Sequence, residues 1–139
     1  MATTTATITL SSTDLLSDEL ALTTTANLTK TTTSTGIEDT TGLSRKKITS
    51  TAKGTASGQV TLYTADDFAA PMYLYLKNLD TTASDFLWVI DDTSTGDPII
   101  AKLAGGDWAF LPNNADKTYK VYATTTGTML EFGIFGTDQ

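Results

Sequence analysis

The sequence predicts an all-β fold, an antiparallel β-sandwich or jelly roll of about eight strands behind an extended N-terminal segment. Three observations carry this. Thirty-one of the 139 residues are threonine, many in runs; the β-branched side chain suits extended backbone, and its hydroxyl solvates a sheet face without charge. From residue 59 onward seven short apolar runs (QVTLYTA, PMYLYLKNL, DFLWVIDD, PIIAKL, DWAFL, KTYKVYA and TMLEFGIF) are separated by stretches of turn-forming residues. All twelve aromatic residues lie between Tyr63 and Phe135, so the core is expected mainly in the C-terminal part. Residues 1–56 are therefore read as an arm or set of edge strands and residues 57–139 as the sandwich core, together one structural domain.

Taken in order, Ala6, Ile8 and Leu10 alternate with Thr5, Thr7 and Thr9, the period of a half-buried strand. Residues 14–22 (DLLSDELAL) offer helical spacing through Leu15, Leu16, Glu19 and Leu20, but Leu20, Leu22 and Thr24 also alternate, and a short turn leading into a strand is the reading. Threonine runs are poor helix formers, which supports strand or loop throughout this segment. TSTGIEDTTGLS (33–44) is expected to be an exposed loop, RKKITST to resume extended backbone to about Thr51, and AKGTASG (52–58) to break it. In PMYLYLKNL, Met72, Leu74 and Leu76 share one face and Tyr73, Tyr75 and Lys77 the other, so one side meets the core and the other something amphipathic. Phe86, Trp88 and Ile90 likewise fall on one side of their run, and Leu130, Phe132 and Ile134 on one side of the last. Thr124–Thr126 beside Gly127 read as the turn into that last strand.

The composition argues against catalysis. Histidine and cysteine are both absent, which removes the usual near-neutral proton carrier, the thiol nucleophile and the commonest transition-metal ligands. No phosphate-cradling glycine loop and no nucleophile elbow occurs. The acid pairs Glu38-Asp39, Asp66-Asp67 and Asp91-Asp92 sit where turns are expected, and neighbours in a strand point to opposite faces, so solvated turn caps are the reading. An irregular calcium site from Asp91, Asp92 and Asp97 is the weaker alternative. No cofactor and no metal is expected. The formal charge of −7 arises after residue 62: before it five cations balance five carboxylates, after it four lysines face eleven carboxylates, so a broad nucleic-acid face is not expected. Arg45-Lys46-Lys47, the one basic cluster, reads as a solvated strand edge that discourages edge pairing. MATTTATITL has neither a basic n-region nor an apolar stretch of signal-peptide length, and no segment approaches a membrane span, so synthesis in a cytoplasm and no membrane partner are expected. Asn27-Leu28-Thr29 matches a glycosylation acceptor by chance, and the T-x-T pairs lack the constant period of an ice-binding array. Tyr73, Tyr75, Trp88 and Trp108 could stack on sugars or bases; for this group core packing is the first expectation and a protein interface the second.

Residues 73–89 (YLYLKNLDTTASDFLWV), 103–112 (LAGGDWAFLP) and 124–136 (TTTGTMLEFGIFG) together resemble small virion structural proteins of tailed bacteriophages, particularly of marine and cyanobacterial hosts. The N-terminal half from ATITL to ITST is similar as well, so the resemblance spans nearly the whole chain. It implies a non-enzymatic component of the virion. A capsid decoration or cement protein is the first expectation, with the major capsid protein and further copies of itself as partners in a homo-oligomer, a trimer being one form. A tail, baseplate or fibre-associated subunit is second, and a carbohydrate-binding or host-adhesion module is the rival of a different class. The resemblance carries over no catalytic residue. The candidate interface residues are Ile8, Leu10, Leu15 and Leu16 in the N-terminal segment, where strand addition to a partner would use main-chain hydrogen bonds, and Tyr73 and Tyr75 on the outward face.

Overall fold

The computed structural model describes residues 4–13, 20–28, 39–53, 58–63, 68–92, 96–113 and 116–137. Among these are eleven strands and no helix: β1 (Thr4–Ser12), β2 (Leu20–Leu28), β3 (Asp39–Thr40), β4 (Ser44–Lys47), β5 (Val60–Tyr63), β6 (Ala69–Asn78), β7 (Leu87–Asp91), β8 (Ile99–Leu103), β9 (Trp108–Asn113), β10 (Tyr119–Ala123) and β11 (Met129–Thr137). All strand pairs are antiparallel. The chain divides into two compact units, Met1–Glu38 and Asp39–Gln139.

The first unit contains a two-stranded ribbon. β1 and β2 pair without a register shift from Thr4 opposite Leu28 to Ser12 opposite Leu20. Because side chains alternate between faces, Thr5, Thr7 and Thr9 stand with Asn27, Thr25 and Thr23 on one side. The Thr7 and Thr25 hydroxyls lie 3.0 Å apart, and Thr23 donates to Thr9 at 3.4 Å. The other side carries Ala6, Ile8 and Leu10 with Ala26, Thr24 and Leu22. The strand expected from the alternation is present, but its half-burial is not: Ile8, Leu10 and Leu22 are 38%, 52% and 48% exposed. Leu15 and Leu16 lie outside the described residues.

The second unit is a sandwich. One sheet runs β5-β10-β7-β8, the other β3-β11-β6-β9, with β4 pairing β11 beside β3. Between them Leu62, Leu87, Val89, Leu103, Val121 and Ala123 of the first sheet meet Met72, Leu74, Leu76, Leu130, Phe132 and Ile134 of the second in one core. The expected inward face of β6 is observed, with Met72, Leu74 and Leu76 fully buried. The core is largely aliphatic. Among the described side chains only Phe68, Tyr119 and Phe132 of the aromatics are buried, so the core does not draw on aromatic area in the way their distribution suggests.

Residues 39–53 belong to this unit, which begins at Asp39 and not near residue 57. β4 pairs β11 over Ser44–Lys47, and Ile48 enters the core with no exposure. The segment expected as a loop contains β3, stitched to β11 where the Thr40 hydroxyl donates to the Ile134 carbonyl at 2.7 Å and the Thr41 amide donates to the same carbonyl at 3.0 Å. β7 turns Leu87 and Val89 inward, so Phe86 and Trp88 face outward. The turn before β11 is as expected: Gly127 adopts φ 102°, and the Thr128 hydroxyl caps the Thr125 carbonyl at 2.9 Å.

A buried amide fastens one end of the sandwich. Asn78, fully buried at the end of β6, donates through Nδ2 to the carbonyls of Asp85 (2.7 Å) and Leu103 (3.1 Å), and its Oδ1 accepts from the Asp80 amide at 3.0 Å. Each of these polar contacts replaces one to water, so the group is satisfied without exposure.

Candidate functional site

Alternation along each strand decides which side chains reach the outer faces of the sandwich, and both faces carry aromatic clusters. On the larger sheet the outward positions of β6, β9 and β11 are Tyr73, Tyr75 and Lys77, then Trp108, Phe110 and Pro112, then Glu131, Gly133 and Phe135. Tyr73 stacks on Phe110 with ring centroids 5.6 Å apart and planes 8° from parallel, and Phe110 meets Phe135 at 6.2 Å and 50°. Offset and tilted pairs of this kind are the favoured aromatic geometries. Gly133 leaves room at the centre of the face for the Gly42–Leu43 turn, where a Cβ would press on the Gly42 carbonyl and the Leu43 side chain. Leu43 (64% exposed) and Trp108 (54%) are the most solvent-facing apolar groups here.

A charged bridge borders this cluster. Arg45 Nε donates to Glu131 Oε2 at 2.8 Å, and the Tyr75 hydroxyl donates to Glu131 Oε1 at 3.3 Å. The hydrogen bond from Arg45 is the main reason the Glu131 carboxyl titrates below its ordinary range. Burial, then the Glu131 charge, push the Tyr75 hydroxyl above its own. β4 lies at the sheet edge with Arg45, Lys46 and Lys47 exposed, the placement expected of that basic triplet.

The smaller sheet presents a second cluster. Lys102, Trp88 and Tyr122 are cross-strand neighbours on β8, β7 and β10. Trp88 and Tyr122 lie 6.1 Å apart and 8° from parallel, and Phe86 flanks Trp88 at 6.3 Å and 53°. Lys102 Nζ sits 3.8 Å from the Phe86 centroid and 4.6 Å from that of Trp88, a cation held over two rings. Burial alone raises the Tyr122 hydroxyl.

Of the interface candidates, Tyr73 and Tyr75 stand together on the larger sheet's outer face, whereas Ile8 and Leu10 stand on the apolar face of the ribbon. Core packing, the first expectation for Tyr73, Tyr75, Trp88 and Trp108, is not observed. The first three are half-buried on outer faces and Trp108 is exposed, because aliphatic residues of the opposite parity fill the interior. Phe86, Lys102, Phe110, Tyr122 and Phe135 were not among the candidate residues. Their parity within each run was available, but their association depends on which strands pair.

Of the acid pairs, Asp91-Asp92 forms no dyad: each carboxylate faces its own lysine. Asp91 Oδ2 lies 3.4 Å from Lys117 Nζ and Asp92 Oδ2 2.6 Å from Lys120 Nζ, while Asp97 occupies a turn at φ 45°. Among the described residues no group of three or more acidic, histidine or cysteine side chains is placed to hold a metal ion. Asp66-Asp67 and Glu38 lie outside the described residues. Comparison of the chain with protein-family models, with curated proteins and with solved structures returns no match.

Proposed function

We propose that this chain is a non-enzymatic virion structural protein of a tailed bacteriophage that binds and decorates or stabilises the capsid shell. The observation that carries the reading is the pair of outward aromatic clusters, Tyr73-Phe110-Phe135 with Trp108 on one sheet and Phe86-Trp88-Tyr122 on the other. Surfaces of this kind offer contact area on a rigid scaffold, with aromatic anchors of the type that dominate protein interfaces. The connectivity supports it too. Strands β4 to β11 run in the orders β4-β11-β6-β9 and β5-β10-β7-β8, which we read as the paired Greek keys of a jelly roll, an architecture that serves shell and lectin domains. A shell component needs a soluble, closed scaffold with several faces to meet a repetitive surface.

The test is location and copy number on purified particles of the phage that encodes the chain. Density for the sandwich over the shell by cryo-electron microscopy, in copies comparable to the major capsid protein, is the expected result. Presence in a handful of copies at the tail would replace this reading with the tail or baseplate alternative. A carbohydrate-binding reading is favoured by one observation, the near-parallel Trp88 and Tyr122 rings beside Lys102. Glycan-array binding abolished by Trp88→Ala in a folded protein would establish it.

A further inference from the structure

We infer that the outer edge of β4 is a docking strand for an acidic, extended segment of a partner protein, which adds beside it with carboxylates against Arg45, Lys46 and Lys47. Such a contact goes beyond the assembly reading and holds whether or not the partner is a shell protein.

The main-chain groups of an antiparallel strand turn to its two sides on alternate residues. On β11 the even-numbered residues turn toward β3 and β4: the Ile134 carbonyl accepts from the Thr41 amide, and just before the strand the Thr128 carbonyl accepts from the Ile48 amide. Met129, of the other parity, gives its carbonyl to the Leu79 amide on the β6 side. Ser44 and Lys46, opposite Phe132 and Leu130, therefore spend their amides and carbonyls on β11. Arg45 and Lys47 turn theirs away from it. Among the described residues β4 has no second strand beside it, and the chain on either side of it, residues 39–53, is described throughout. The edge thus presents the amides and carbonyls of Arg45 and Lys47 at the spacing of a β-ladder.

Charge selects what can use that ladder. Arg45, Lys46 and Lys47 are all exposed. Most other described cations are engaged within the chain: Lys117 with Asp91, Lys120 with Asp92, Lys53 with the Gly96 carbonyl and Lys102 over two rings. Arg45 bonds Glu131, and Lys77 lies opposite Glu131 across the β6–β11 ladder. Lys46 and Lys47 differ. Among the described residues neither meets a carboxylate, although the chain holds sixteen carboxylates to nine cations.

A row of cations on an edge discourages pairing, but it does so selectively. A second copy of β4 would set cation against cation, and an apolar strand would bring the lysines no counter-charge. A strand with carboxylates at those positions gains opposite-charge cross-strand pairs. The chain's formal charge of −7 opposes any polyanion at long range. A polypeptide offsets that with main-chain hydrogen bonds to Arg45 and Lys47, the mode of strand addition, whereas a nucleic acid has no such ladder to offer.

Register follows from alternation. In antiparallel addition one partner residue stands opposite Arg45, and the residue two places before it stands opposite Lys47 on the same face. The residue between them faces Lys46. Two places after the first, the same face reaches Leu43, which is 64% exposed and seated over Gly133. The segment that fits is three acidic residues, a spacer and an apolar residue.

The probe is the peptide acetyl-TTEEEVLT-amide, titrated into the full chain and followed by amide resonances. Saturable binding is expected, with the largest shifts at Arg45 and Lys47. Lys46→Glu with Lys47→Glu should weaken it roughly tenfold or more, since two favourable cross-strand pairs become unfavourable. Lys47→Gln should weaken it less. Lys47→Pro removes the same charge and also the outward amide, while sparing the pairing with β11, and should abolish binding. These positions lie outside the core, and an unchanged thermal transition checks that each variant is folded. Absence of binding, equal binding of acetyl-TTKKKVLT-amide or of the reordered acetyl-ETLETVET-amide, or a Lys47→Pro variant that binds as Lys47→Gln does would each overturn the proposal. Binding of an eight-residue oligothymidylate as tight as that of the peptide would overturn it too, and would assign the edge to polyanions in general. Peptide binding by a chain absent from phage particles would uphold the docking strand and remove the assembly reading.

Discussion

Ile8, Leu10 and Leu22 of the ribbon are substantially exposed, while Met72, Leu74 and Leu76, set at the same two-residue spacing in β6, are fully buried. Spacing therefore decides which side chains share a face, and strand number and a second sheet decide whether that face is closed. In the sandwich, β6 has β11 on one side, β9 on the other and the smaller sheet over its inner surface. The ribbon's β1 has β2. A period-two pattern marks amphipathic strand in both regions, but it is buried throughout in β6 and, on the ribbon, leaves Ile8, Leu10 and Leu22 exposed while Leu28 is covered.

The largest test of this contrast is truncation at matched positions. Leu74→Ala should destabilise the sandwich by about 3 kcal/mol through lost transfer energy and a residual cavity, lowering its thermal midpoint by roughly 10–20 °C. Leu10→Ala should leave that transition within about 0.5 kcal/mol. A comparable loss from both, read by denaturant titration, would show that the ribbon shares the sandwich's cooperative unit.

Next in size is Asn78→Ala. It leaves the Asp85 and Leu103 carbonyls and the Asp80 amide without their side-chain partner, and buried groups so orphaned cost about 2–3 kcal/mol together. Hydrogen exchange should then quicken in residues 79–86 and 103–107 before it does in β6 and β11. Uniform quickening would mean that the amide supports the whole sandwich and not one end.

Smaller again is the acid response of the Arg45-Glu131-Tyr75 bridge. Glu131 titrates lower in the folded chain than in the unfolded chain. Its contribution is thus complete above the ordinary glutamate range and lost as the pH falls through the lowered folded value. Glu131→Gln should be less stable than wild type at neutral pH and should converge on it as the solution is acidified. A difference that stays constant with pH would assign the effect to packing. The smallest expected change is Trp108→Ala, within about 0.5 kcal/mol in the isolated chain because the ring is already exposed, although particle binding should weaken measurably if that face docks.

Strand positions in the sandwich were largely legible, because alternation bounded by glycine, proline and aspartate is a local signal. The inward face of β6 was readable for the same reason. β7 was harder. Leu87, Val89, Ile90 and Asp91 are all buried, so its run is nearly continuous in hydrophobicity, and parity alone does not say whether Trp88 or Val89 points in. The boundary set near residue 57 rested on aromatic content, and the core's aliphatic contribution from Ile48 lay outside that signal. β3 spans two residues and is held by Thr40 and Thr41 to a strand more than ninety residues away, a pairing no local window contains. The outer clusters were invisible as clusters for the same reason, since Lys102, Trp88 and Tyr122 meet only when β8, β7 and β10 lie side by side. Leu15 and Leu16, read as interface residues, lie outside the described residues.

The two tryptophans occupy opposite outer faces, Trp88 half-covered beneath Lys102 and Trp108 open to solvent. With no third indole in the chain, the protein carries one tryptophan emitter for each side of the sandwich. Trp88→Phe leaves an emitter on the larger sheet and Trp108→Phe leaves one on the smaller. A blue shift in one variant and not the other, on mixing with any partner, would report which side has become dry.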